Sequence, residues 1–266
     1  METDLSSPYH LDAGAIESYR KDGFVLLEHV VEAQTIDHYR GLISDAVVDL
    51  NTMHLPLEQR NTYDRAFLQV TNLWTKRENV CPLVFSRKLA GIAAELMGVK
   101  SVRLYHDQAL FKEPGGGHTP WHADQYYWPL ASDHCVTAWI PLQDTPLEMG
   151  PVEFNAGSHR IEDARDLSIS DESDDAITSL LSSRMHNQRV DPFSKGDVSF
   201  HAGWLFHRAG PNRTDTTRGV MCVIYMDADI RLSKPVNENQ ELDRRAWCPG
   251  VDVGSKIDSP LNPVLF

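Results

Sequence analysis

The segment with the densest chemistry is Thr119-Pro-Trp-His-Ala-Asp-Gln-Tyr-Tyr-Trp128. On a strand, His122 and Asp124 stand at i and i+2 and leave one face, with Trp121 and Ala123 on the other. An imidazole beside a carboxylate offers one nitrogen and one oxygen to a divalent metal. Non-haem Fe(II) oxygenase sites use two histidines and one carboxylate on one face and leave the other positions open. Alone, the pair reads equally as a His–Asp hydrogen bond in a β core. Further on, Phe206-His207-Arg208-Ala209-Gly210-Pro211-Asn212 precedes Arg218. The Gly-Pro-Asn breaker turns the chain. The strand carrying His207 and the strand beginning near Arg218 are therefore expected to be neighbours, with a second imidazole and a cation in one pocket. A guanidinium forks onto a carboxylate through two hydrogen bonds. A metal beside such a clamp suits a 2-oxo diacid, chelated at its keto end and held by arginine at the other.

The elements that must position these groups divide the chain in two. Thr35–Leu50 places Ile36, Tyr39, Ile43, Val47 and Leu50 at helical spacing. Ser86 is a candidate cap for a helix that presents Leu89, Ile92, Ala93 and Leu96 and ends at Gly98. Phe24–Leu27 reads as a short buried strand. Beyond Gly98, β-branched and aromatic runs alternate with turn residues: Ser101–Lys112, Thr119–Trp128, Cys135–Leu142, Asp197–His201, Trp204–Arg208 and Gly219–Met226. This pattern predicts a mainly β fold, a sandwich or barrel supported by helices. The expected organisation is a single domain over 1–266: helical support to about 98, a β core over 99–230 and a C-terminal tail over 231–266. Ile161–Arg189 interrupts the strands and is rich in acids. It reads as a solvated insertion or as a lid over the site.

Composition narrows the function classes. The 266 residues are 41% hydrophobic and carry a formal charge of −13, which argues against nucleic-acid or anionic-membrane partners. No apolar stretch is long enough to span a bilayer, and METDLSSPYH lacks the pattern of a secretory signal. Cys81, Cys135, Cys222 and Cys248 form no C-x-x-C pair and read as reduced thiols of a cytoplasmic protein. Gly115-Gly-Gly117 has no following Lys-Ser/Thr and reads as a flexible loop, not a phosphate loop. Lys112 reads as a solvated lysine. Structural packing is the simpler reading for His106, His118, Tyr126, Tyr127 and Trp128, with substrate contact as the alternative; His159 reads as holding a turn.

The ordered set His122-x-Asp124, His207 and Arg218, the last 218 − 207 = 11 positions on, resembles the phytanoyl-CoA dioxygenase family of Fe(II)- and 2-oxoglutarate-dependent oxygenases. His106–Lys112, Thr137–Leu142, Met149-Gly-Pro151, Gly157-Ser-His159, Phe200-His201 and Ser259–Leu265 strengthen the resemblance, which runs from about Gly23 to the end. It implies a double-stranded β-helix, a jelly-roll barrel of cupin-like form. It also implies iron on His122, Asp124 and His207, with 2-oxoglutarate bound by Arg218 beside Trp139, and Gln108 and Gln69 as further pocket contacts. His201 rivals His207, but the family spacing to Arg218 selects His207. The implied reaction couples oxidative decarboxylation of 2-oxoglutarate with O2 to hydroxylation of a small-molecule substrate. Asp124 fills the position that halogenating relatives leave small. Two departures touch the co-substrate: Ala209 stands where members often carry Ser, and Val152 where a Thr is common. A non-catalytic ligand-binding barrel and a zinc hydrolase on the same ligands are the alternatives. The acids of Ile161–Arg189 hint at a neutral or cationic substrate. With no evident basic cluster, a coenzyme A thioester is less favoured. Oligomeric state stays open.

Overall fold

Ser86 accepts a hydrogen bond from the Leu89 amide, and Gly98 adopts the left-handed conformation (φ 70°, ψ 30°). The helix between them therefore starts and stops where its capping residues stand. The computed structural model describes residues 2–184 and 187–266. In chain order the elements are α1 (Glu2–Ser6), α2 (Ala13–Asp22), β1 (Phe24–Leu27), α3 (Ala33–Leu50), α4 (Thr62–Ala66), β2 (Leu68–Thr71), α5 (Cys81–Val84), α6 (Arg87–Met97), β3 (Val102–Lys112), β4 (Thr119–His122), β5 (Cys135–Pro141), β6 (Val152–Asn155), α7 (Asp171–Ser183), β7 (Gln188–Val190), β8 (Val198–Ala202), β9 (His207–Ala209), β10 (Arg218–Asp227) and α8 (Glu238–Trp247).

Among the described residues, a six-stranded antiparallel sheet runs β1-β8-β5-β10-β3-β2 and a four-stranded one runs β4-β9-β6-β7. Side chains alternate across the larger sheet. On β10, Met221, Val223 and Tyr225 join the core shared with helices α1, α2, α3, α5 and α6. Val220, Cys222, Ile224 and Met226 face the smaller sheet and pack with its Val152 and Phe154. The result is a jelly-roll with helices over one face.

A bulge adjusts β3. Ile224 pairs with His106 and Tyr225 with Leu104, so Tyr105 is an extra residue opposite no partner. The bulge switches the alternation, putting His106, Gln108 and Leu110 on the inter-sheet face and leaving Ala109 and Phe111 on the helix side.

Four expectations need correction. The Thr119–Trp128 run ends as a strand at His122 and continues as a 3-10 helix, Asp124–Tyr127, whose backbone is satisfied in place of a ladder by the Gln125 amide donating to the Gly203 carbonyl and the Gln240 side chain donating to the Tyr126 carbonyl. The strand carrying His207 begins only at that residue and pairs with β4 and β6. It therefore lies in the smaller sheet, across from β10, and is not its neighbour. The turn at Gly210-Pro211-Asn212 carries the chain from one sheet to the other, and buried Asn212 anchors it by donating to the carbonyls of Lys112 and Thr216. Lys112 is not solvated: fully buried, its Nζ donates to the Gly117 and Gly210 carbonyls at 2.6 and 2.8 Å. The first of those bonds also ties down the glycine loop. Finally, 231–266 is more than a tail, since it contains α8, begun by Asn237 accepting from the Gln240 amide.

The interruption at 161–189 holds α7, opened by a reciprocal Ser170–Ser173 capping box. Ile177 and Leu181 pack against Trp121 and Phe206. Met185 and His186 of this stretch lie outside the described residues. The four cysteines are free thiols, and among the described residues no helix is long and apolar enough to cross a membrane.

The helix-side core sets the stability. Ile43 on α3 is fully buried there. Ile43→Ala is expected to lower the unfolding free energy by about 2–5 kcal/mol, measured by urea denaturation, with metal affinity unchanged.

Candidate active site

His122 closes β4 and His207 opens β9, and the two are cross-strand partners with ring centroids 4.2 Å apart. Each ring is fixed by its own backbone: the Nδ1–H of His122 donates to the Pro120 carbonyl at 2.8 Å, and that of His207 to the Leu205 carbonyl at 3.0 Å. The proton is thereby assigned to Nδ1 and the Nε2 lone pair is free. Both Nε2 atoms lie 3.7 Å from Asp124 Oδ1. Ala123 keeps extended dihedrals (φ −123°, ψ 127°), so Asp124 still projects on the same side as His122 one residue beyond the strand. The donor atoms of His122, Asp124 and His207 all lie within 4.8 Å of one another.

His201 is not in this set. It stands behind the carboxylate, with Nε2 3.4 Å from Asp124 Oδ2, which also accepts from Thr137 Oγ1 at 3.0 Å. With Oδ2 engaged, Oδ1 faces the imidazoles. His201, Thr137, Ile224 and His106 occupy one register row across the large sheet.

Electrostatics favour metal ligation over proton storage. Burial, helped in His122 by the neighbouring His207, lowers both imidazoles to about 4, so both are neutral at pH 7. Burial alone would raise Asp124, but His207, His201 and His122 outweigh it and hold the carboxyl well below the usual range.

Arg218 begins β10, at the far end of that strand from the row carrying Thr137 and Ile224. It is 2% exposed. Its Nη1 donates to the Gly150 carbonyl at 2.6 Å, and its Nε has no hydrogen-bond partner among the described residues. Burial lowers the guanidinium to about 10, which leaves it charged at neutral pH. Trp139 lies beside it, 5.5 Å from ring centroid to the guanidinium carbon. Gln69 and Gln108, on adjacent strands, bond to each other at 2.6 Å, and Tyr63 donates to Gln69 at 3.1 Å. All of these residues and the His-Asp-His set line one cavity of about 320 Å³. Val152 and Ala209 are direct cross-strand partners on its wall, so the two departures from the family pattern fall at one spot. Thr119, the other cross-strand partner of Ala209, also lines the cavity.

The remaining wall comes from places that spacing did not single out. Tyr63 lies on α4 and Phe67 follows it, Ile169 leads into α7, and Asp243 and Trp247 come from α8. Asn237, with Gln240 three positions on, signals that a helix begins there, but nothing local signals which of its residues meet the cavity. Tyr127 and Trp128 line it; Tyr126 is buried beneath, in contact with Asn239, and His118 is exposed outside it. His106 is buried at the wall, stacked on Trp247 at 5.0 Å. His159 sits in a 3-10 turn against Gly23. The acids of 161–189 contribute no carboxylate to the lining. Asp174 instead accepts from the Trp121 amide at 2.7 Å and Asp171 from the Thr62 hydroxyl at 3.0 Å.

The donor set fits an octahedral metal with open positions, and the Arg218 guanidinium, its Nε without a partner among the described residues, fits a carboxylate. Thr137→Val, which keeps shape but removes one support of Asp124, is expected to weaken Fe(II) affinity about 10–100-fold in an anaerobic titration, with an unchanged melting temperature. Because protons compete with metal only once the imidazoles titrate, affinity is expected to stay level from pH 7 to near 5 and to fall as the pH approaches 4. The same titration run as a pH series checks this, and a fall centred near 6.5 would contradict it.

Comparison with known proteins agrees with this geometry. The model of the family described as phytanoyl-CoA dioxygenase matches residues 19–220. A probable alpha-ketoglutarate-dependent hypophosphite dioxygenase of Stutzerimonas stutzeri is 26% identical over 156 residues. That match covers 55% of this chain and about half (52%) of the relative. Among solved structures, the non-heme alpha-ketoglutarate-dependent carbocyclase SnoK of nogalamycin biosynthesis has a TM-score of 0.80 at 25% identity, covering 98% of this chain and 100% of its own. The epimerase SnoN, solved with Fe3+, alpha-ketoglutarate and nogalamycin RO, has a TM-score of 0.80 at 23% identity, covering 95% and 98%. With the family model spanning most of the chain and its His-Asp-His set and buried arginine gathered in one cavity, the protein belongs to the phytanoyl-CoA dioxygenase family.

Proposed function

We propose that this protein is an Fe(II)- and 2-oxoglutarate-dependent dioxygenase that hydroxylates an unactivated C–H bond of a small molecule and releases succinate and CO2. The observation that carries this reading is the single cavity shared by the His122-Asp124-His207 donors and by Arg218, a buried cation without a carboxylate. When bound, iron with 2-oxoglutarate supplies the activation of O2.

The chain's own residues then have distinct tasks. The Nε2 atoms of His122 and His207 and Oδ1 of Asp124 hold the metal from one side. Thr137 and His201 keep Oδ2 occupied and so favour a single-oxygen contact. Arg218 takes the distal carboxylate of 2-oxoglutarate, with Trp139 packed alongside and Gln108 and Gln69 lining the same pocket. With Ala209 and Val152 apolar, the hydroxyl on that wall comes from Thr119. Tyr127, Trp128 and Phe67 shield the reacting carbon from water. Since Asp124 fills its ligand position, halogenation is disfavoured. The segment 161–189 serves as a lid only to the extent that Ile169 leaves the wall, where its amide donates to Tyr127 at 2.9 Å.

The test is anaerobic addition of Fe(II) and then 2-oxoglutarate, read by the weak visible charge-transfer band of the chelate. Asp124→Ala is expected to abolish the band. Arg218→Ala is expected to weaken 2-oxoglutarate binding by about 30-fold or more, the cost of removing one partner of a buried charge pair. Oxygen-dependent succinate release should follow in the wild type. Zinc-supported activity without oxygen would overturn the reading in favour of a hydrolase, and iron binding with no band in favour of a non-catalytic barrel.

A further inference from the structure

Two carboxylates line the cavity, and only one is accounted for. Asp124 is held by Thr137 and His201 and faces the two ligand imidazoles. The other, Asp243, lies on the inner side of α8. Among the described residues it forms no ion pair. The cavity's two arginines are not available to it: Arg208 is bound through both nitrogens to Glu153 at 3.0 Å, and Arg218 is directed to the Gly150 carbonyl. The neighbouring Arg244 and Arg245 turn outward onto Glu241. Trp247 stands one helical turn on from Asp243 on α8 and lines the cavity beside it.

Around this carboxylate the wall is aromatic. Trp247 stacks on His106, and Trp128 meets His106 edge-on at 6.1 Å. Tyr127, Asp243 and the His-Asp-His set line the same cavity. His106 belongs to the register row that supports Asp124, whereas Arg218 lies at the opposite end of β10. The aromatic end is therefore separate from the arginine end.

A substrate that closes over Asp243 removes its remaining water. Beneath a neutral group the carboxylate loses that water unpaired, at the cost of desolvation or of taking up a proton, and only a cation keeps it ionised and paired. A protonated amine removes that cost and is attracted by the faces of tryptophan and tyrosine. Burial has already raised Asp243 to about 7, the direction expected for a carboxylate lacking its cation.

We propose that Asp243, with Trp247, Trp128 and Tyr127, binds a protonated amine of the substrate, so that the substrates of this enzyme are amines with an apolar body, oxidised at a carbon on the metal side. This rests on the dioxygenase reading for the site of oxidation but not for the binding of the amine.

The experiment separates the two. Ligand-observed NMR on metal-free protein would compare phenethylamine, tryptamine and cyclohexylmethylamine with their N-acetyl counterparts, and Asp243→Asn would be run alongside. The expected result is about a tenfold preference for the amine, the size of a partly desolvated carboxylate and cation–π contact. In Asp243→Asn the preference should fall to near unity, with an unchanged melting temperature and an unchanged Fe(II)–2-oxoglutarate band. Equal binding of amine and acetamide, a preference that persists in Asp243→Asn, or no amine binding at millimolar concentration would each overturn the proposal. Loss of the chelate band in the wild type would overturn the dioxygenase reading and leave the amine result standing.

Discussion

The site depends on keeping one buried carboxylate ionised and pointed in one direction. Asp124 sits where burial favours its neutral form, and the imidazoles around it reverse that preference. Its orientation is a separate matter. The Thr137 hydroxyl and His201 hold Oδ2 from the large sheet, and Oδ1 is left toward His122 and His207 on the small one. The candidate metal donors come from β4, β9 and the turn after β4, while the groups that orient Asp124 come from the large sheet. Neither sheet contains the site; it exists only when they are packed at the correct separation.

That packing explains the division of labour across the large sheet. One face is apolar and closed by helices, with Val136, Ala138 and Ile140 of β5 and Met221, Val223 and Tyr225 of β10 in a common core. The other face carries Thr137, Trp139, Cys222 and Arg218 on the same two strands. Strict alternation would send His106 and Gln108 toward the helices, since Val102 and Leu104 already point there. The bulge at Tyr105 reverses the alternation once, and the cavity gains two polar residues that would otherwise be buried in an apolar layer.

Charge is managed by satisfying what the site does not use. Lys112 pairs across the strands with Arg218, yet its ammonium is turned away onto the Gly117 and Gly210 carbonyls. Arg208 lies on the cavity wall but is neutralised by Glu153 and stacked 4.7 Å from Trp121. What remains open to a ligand is the Arg218 guanidinium at one end and the Asp243 carboxylate at the other, with aromatic rings between.

The amino-acid sequence by itself determined much of what depends on near neighbours. Ser86 and Gly98 set a helix because caps act within one turn, and the apolar spacing of Ile36, Tyr39, Ile43 and Val47 chose the buried face of α3. That the H-x-D pair, His207 and Arg218 belong together was legible because a metal and a diacid would demand these residue types, and the fold gathers all of them in one cavity. That gathering holds even though Asp124 sits one residue beyond the strand expected to carry it. Groups whose role depends on what crosses over them were not legible. The strands of His207 and Arg218 lie on opposite sheets because a turn can reverse the chain within a sheet or carry it between sheets, and the turn residues are the same for both. Lys112 is buried because the distant Gly210 carbonyl joins that of nearby Gly117 on its ammonium. Asp243 and Trp247 reach the cavity only because α8 folds back over the mouth, held by the Gln240 side chain on the Tyr126 carbonyl at 3.0 Å. The decisive contacts here, Lys112 with Gly210 and Tyr126 with Gln240, join residues 98 and 114 positions apart. Local propensity carries no information about them; the packing of the two sheets decides them.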